Sequence, residues 1–117
     1  MNNLNAESAH VDGAFDEILL DCIDRALDTF GQTTKQVVYW NLTQQDDIQG
    51  RGGILKNPEA FERALWKMFG PGIACIRWEI IREIKNGFDL DEKAKIEDIP
   101  TAFRQAMRKV SKIDDYD

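Results

Sequence analysis

The chain has 117 residues, 43% hydrophobic and 31% charged, with a formal net charge of −6. That balance excludes wholesale disorder and fits one globular domain, large enough to bury a core without a disulfide or a metal. No stretch approaches the roughly 18 apolar residues a membrane span needs, and two cysteines with one histidine make neither a disulfide framework nor a metal cluster.

Cys22 and Cys75 both lie inside apolar helical patterns, so both read as buried free thiols in a reducing cytoplasm. Met1 to Asp12 has neither the basic start nor the apolar run of a secretion signal. No cofactor and no metal are expected. The charge is unevenly spread: residues 1–30 hold seven acids and one base, and the rest of the chain is close to neutral. An acidic surface of this kind repels phosphate backbones and favours basic partners.

Residues 1–12 are polar and lack periodicity, which reads as a mobile tail carrying the single histidine, His10, as a bystander. A first helix is predicted from about Gly13 to Phe30. Its stripe is Phe15, Ile18, Leu19, Cys22, Ile23, Ala26, Leu27 and Phe30, opposite a face rich in aspartate, and Gly31 supplies a left-handed stop. A second helix is predicted from about Thr34 to Gln44, with Thr33 and Gln36 at the spacing of a capping box. The run Val37-Val38-Tyr39-Trp40 leaves little room for a solvent face and predicts a helix sandwiched between neighbours. Gln45 to Lys56, with Gly50-Arg51-Gly52-Gly53, lacks the strand and the Lys-Ser/Thr pair of a phosphate loop and reads as a flexible connector tacked down by Ile48, Ile54 and Leu55.

Asn57-Pro58-Glu59 is a helix start: a cap, a proline at the first helical position, then an acid. The third helix carries Phe61, Ala64, Leu65 and Met68 to Phe69, and Gly70-Pro71-Gly72 ends it. The fourth, about Gly72 to Asn86, has Ile73, Ile76, Ile80, Ile81 and Ile84 on one stripe, while Cys75 projects to the far side and Trp78 to the flank. An apolar surface on more than one side predicts a central helix, or one that serves both the core and a subunit contact. Arg77 projects into this stripe and needs an acidic partner, expected from the first helix or from a second subunit. After an acidic connector from Phe88, a last helix from about Ile99 to Lys112 is capped by Asp98. It carries Phe103, Ala106, Met107 and Val110 with the basic residues Arg104, Arg108, Lys109 and Lys112. The expected fold is all-α, a compact bundle of four to five helices, with residues 13–87 as the domain and residues 88–117 as a linker and an appended basic helix. That helix packs on the domain or exchanges across a dimer.

Four stretches in succession resemble a known family: Leu27-Asp28-Thr29-Phe30-Gly31, Lys35-Gln36-Val37-Val38-Tyr39-Trp40, Asn57-Pro58-Glu59-Ala60-Phe61 with Ala64-Leu65, and Phe69-Gly70-Pro71-Gly72 with Ile76. From Leu20 to Lys85 the chain is similar to the type-five Nitrosopumilus output domain, a small archaeal helical domain. Arg77 departs from the family pattern, where an acid commonly stands. The resemblance implies a regulatory, protein-binding role in an archaeal cytoplasm, beside or apart from sensory modules, and it implies no catalytic residues.

Three functions follow for comparison. A non-catalytic signalling module that works through protein contacts, as a homodimer, fits the two-sided fourth helix and the surplus tryptophans Trp40, Trp66 and Trp78. Its candidate interface residues are Cys75, Arg77, Trp78, Arg104 and Arg108. A DNA-binding regulator would use the basic last helix, but the overall acidity and the lack of a recognition helix or wing argue against nucleic acid as a partner. An enzyme would need converging carboxylates. Glu79 with Glu83, and Asp46 with Asp47, read instead as solvated or ion-paired side chains. Attraction between the acidic first helix and Arg104 and Arg108 of the last is the expected docking force for the latter.

Overall fold

Among the described residues five α-helices form the bundle: α1 (Asn2–Asp28), α2 (Gln32–Thr43), α3 (Pro58–Phe69), α4 (Ile73–Gly87) and α5 (Ile99–Asp115), with single 3-10 turns at Arg51–Ile54 and Gly70–Gly72. The computed structural model describes the backbone of residues 2–115 and the side chains of residues 13–111. Among the described residues there is no strand, and the fold is an all-α compact bundle. The helical backbone extends over residues 2–12, which the sequence pattern assigns to a tail. The side chains of that stretch, His10 included, lie outside the described residues, as do those of Lys112 and the acidic end.

The core grows from the predicted stripes. α1 contributes Leu19, Cys22, Ile23, Ala26 and Leu27, and α4 contributes Ile73, Ile76, Ile80, Ile81 and Ile84. α4 is the central helix, packed chiefly on α1 and also on α5 and α3. α5 adds Ile99, Ala102, Phe103 and Ala106 to the same core. Each of these residues withdraws apolar surface from water, at about 25 cal/mol per Å². Two predicted stripe residues of α1 fall outside this interior: Ile18 and Phe30 are exposed.

The caps separate the predictions that hold from those that do not. The Asn57 side chain accepts from the Ala60 amide at 3.2 Å, and the Asp98 carboxylate accepts from the Thr101 amide at 2.8 Å, so α3 and α5 start as read. The capping box of α2 does not form. Gly31, at φ 106°, turns the chain straight into a helix beginning at Gln32, which places Thr33 inside the helix rather than before it. Nor is α2 sandwiched. It buries only Val38 and Leu42 and leaves Val37 and Trp40 exposed, because α1 and the edge of α3 cover one face alone.

The glycine-rich connector is tied down more firmly than its composition implies. Arg51 donates to both carboxylate oxygens of Asp24, at 3.2 and 2.6 Å, and the Tyr39 hydroxyl donates to the same carboxylate. α1, α2 and the 3-10 turn are thereby joined at one acid. Burial alone would push the Asp24 carboxyl up. The hydrogen bonds from Arg51 and Tyr39, with the nearby positive charges, outweigh it and hold the group below the ordinary carboxylate range. Gly53 makes the approach possible, since a Cβ there would sit 1.6 Å from the Ile48 carbonyl oxygen.

Arg77 finds its acid on α3, in neither of the two expected places. Its Nε donates to Glu62 Oε2 at 2.8 Å. The tight Gly70–Gly72 turn folds α4 back beside α3, so a neighbour in sequence reaches the guanidinium before the first helix or another subunit could.

Two outcomes are expected. Gly53→Ala should lower stability by at least about 2 kcal/mol in urea unfolding, because backbone must move to admit the methyl group. For Asp24, the folded-state value lies below the unfolded one, so its contribution is present above about pH 4 and is lost as pH falls through the lowered value. Asp24→Asn should therefore flatten the acid limb of a stability-against-pH curve, and an unchanged limb would exclude the network as its source.

Candidate interaction surface

α4 has an apolar side that the core does not use. With the isoleucines turned inward, Ala74, Cys75 and Trp78 face outward on successive turns. Trp78 is 63% exposed. Cys75 is exposed too, which corrects its assignment as a buried thiol: the isoleucine stripe alone fills the contact with α1 and α5. The far end of α1 brings Phe30 to the same place, and Thr29, Phe30, Ala74, Cys75, Trp78 and Glu79 line a shallow cleft of about 370 Å³.

Trp78 is a ridge between two depressions. On its other side, a cleft of about 610 Å³ lies between α4 and the connector before α5, with Ile81, Arg82 and Ile96 in its wall. Lys85 holds that connector in place by donating to the Glu92 and Ala94 carbonyls at 3.0 and 2.8 Å. Across α4 from Cys75, exposed Trp66 of α3 lies in a depression shared with Arg77. The apolar band on the outward side of α4 therefore runs from Trp78 to Cys75 and Phe30, and the Trp66 depression is separate from it, on the α3 flank.

The charges on both flanks of α4 are paired within the protomer. Arg77 meets Glu62 at 2.8 Å, Arg25 meets Glu83 at 3.1 Å, and Arg82 meets Glu79 at 2.5 Å and Glu83 at 3.6 Å. Three arginines thus offset three glutamates. Glu79, the buried charged residue of the described set, also accepts from Thr29 at 3.4 Å. The Arg82 guanidinium lies 5.6 Å from the centre of the Trp78 ring, a cation–π distance that steadies the exposed indole. Glu79 and Glu83 are ion-paired carboxylates.

Arg104 and Arg108 do not join the band. They line a different cleft, between α1 and α5. Their expected pairing with the first helix does not form: Arg104 lies 3.7 Å from Glu59 of α3, and Arg108 makes no ion pair among the described residues. Of the α1 acids, Asp24 is engaged by Arg51 and Asp28 by Lys35, and Asp16, which lines the cleft, forms no ion pair with either arginine; α5 docks through apolar contacts with α3 and α4. Lys109 donates to the Asp89 carbonyl at 3.0 Å, so the basic face of α5 is partly tied to its own protomer.

Cys75, Arg77 and Trp78 are interface candidates from the sequence and Trp66 is one of its surplus tryptophans, whereas Phe30, assigned to the buried stripe of the first helix, is exposed beside Cys75. Among the described residues, no group of three or more histidine, cysteine or acidic side chains could hold a metal ion, and no helix is long and apolar enough to cross a membrane. No family model matches the chain, and no similar curated protein or solved structure was found.

The two thiols should differ in reactivity. Burial pushes the Cys22 thiol up to about 11, against the opposing pull of Arg25, while Cys75 is open to solvent. A disulfide reagent at neutral pH should titrate one thiol rapidly in the native protein and both in denaturant. Rapid reaction of both in the native state would place Cys22 outside the core.

Proposed function

We propose that this protein is a non-catalytic regulatory interaction module that works through the outward side of α4, as a homodimer. The observation that carries this reading is the exposure of Trp78 and Cys75 beside Phe30 on one side of α4. Isolated exposed apolar residues are ordinary, whereas a contiguous aromatic patch marks an association surface. An aromatic side chain buries roughly 150–250 Å² when covered. With Trp78 63% and Phe30 36% exposed, the band offers on the order of 200–300 Å² of apolar contact per protomer, the apolar centre of an interface whose roughly 800 Å² per partner is completed by the paired charges around it.

Charge favours a second copy as the partner. A chain of net charge −6 repels itself over most of its surface. Around this band arginines and glutamates cancel, so two copies can approach here without facing like charge. The resemblance of Leu20 to Lys85 to an archaeal output domain supports a regulatory task in a cytoplasm.

Sedimentation equilibrium from low to high micromolar concentration tests the reading. A monomer–dimer equilibrium is expected, weakened at least about tenfold by Trp78→Ala, with little change in stability. A monomer throughout the range, or a dimer indifferent to this substitution, would contradict it.

A further inference from the structure

We infer that the groove between α1 and α5 is a binding site for a small amphipathic anion, an apolar body bearing one carboxylate-type head group. The groove holds about 440 Å³, within the range of small-ligand sites, and lies apart from the α4 band. Its apolar lining comes from separate elements: Phe15 and Leu19 of α1, Leu55 after the 3-10 turn, and Phe103 of α5. Leu19 and Phe103 also belong to the core, so this part of the groove stands on fixed side chains. Met107, 53% exposed, forms an edge that can repack around an apolar guest.

Arg104 and Arg108 stand at the mouth, one helical turn apart on α5. The 3.7 Å between Arg104 and Glu59 is too long for a hydrogen bond, and its one side-chain hydrogen bond, 3.1 Å to Thr101, leaves further donors of the guanidinium open. Two forks of this kind fit a carboxylate. The acids nearby set the number and position of the head group. Asp16 lines the same groove from α1, and Glu59 lies beside Arg104, so a second negative charge is disfavoured and the first is directed to the α5 side. The apolar body then covers Phe15, Leu19 and Phe103, which an inorganic anion would leave wet.

Decanoate below its micellar concentration serves as the probe, titrated calorimetrically and followed by the Met107 methyl resonance, with decylamine and decanol for comparison. One decanoate per chain should bind, shifting the Met107 methyl. Both Arg104→Gln/Arg108→Gln and the change of probe to decylamine should weaken binding at least about tenfold. The two arginines are exposed, so the double variant is expected to keep its fold, which an unchanged unfolding curve checks. Equal binding of decylamine, unaltered affinity in the double variant, saturation without movement of the Met107 methyl, or no saturable binding would each overturn the assignment. None of these results bears on the oligomeric state, so this site and the α4 interface fail independently.

Discussion

One carboxylate, Glu62, holds three helices in register. From α3 it accepts the Arg77 Nε of α4 at 2.8 Å and the Ile99 amide at the start of α5 at 3.1 Å. The second bond satisfies one of the free amides that every helix leaves at its first turn, and the acid also suits the positive end of the α5 dipole. Arg77 is half-buried on the flank of an isoleucine stripe, where a guanidinium without an acid would be costly. The pair therefore fixes how α4 rotates about its own axis relative to α3.

That rotation decides what α4 shows to solvent. With Arg77 anchored toward α3, the isoleucines point at α1 and α5, and Cys75 and Trp78 have nowhere to go but outward. The local pairing of arginine with glutamate leaves this outward side apolar and electrically quiet on a chain that is otherwise acidic. Protomer packing and the proposed interface are thus two faces of one helix, oriented by the buried isoleucine stripe and held in register by the Glu62–Arg77 contact. The bond to Ile99 also ties the Asp98-capped start of α5, the helix that carries Phe103 and Met107 of the groove, to α3.

Much of the fold was legible because it depends on periodicity and on local caps. The stripes of α1, α3, α4 and α5, the Asn57 and Asp98 caps and the stop at Gly31 are properties of short windows, and the structure follows them except at Ile18, Phe30 and Met107, which lie at the edges of their stripes and are exposed. What was not legible depends on which elements become neighbours. The four large residues of α2 look fully buried in sequence, yet Trp40 and Val37 are exposed because only one face of that helix has neighbours. The partner of Arg77 and the engagement of Asp24 by Arg51 required the Gly70–Gly72 and Gly53 turns to be known in three dimensions. For the candidate surface, the sequence picked out Cys75 and Trp78 from their angular position on α4. It also named Arg104 and Arg108, which line a separate cleft between α1 and α5, because their charge is visible in sequence and their location is not.

The dependence of the bundle on Glu62 and Arg77 is measured most directly by a double-mutant cycle with Glu62→Gln and Arg77→Met, read by urea unfolding. A coupling energy of about 1–2 kcal/mol is predicted, larger than an exposed surface pair supplies. Additive effects of the two substitutions, within about 0.3 kcal/mol, would mean that the contact does not set the arrangement of the helices.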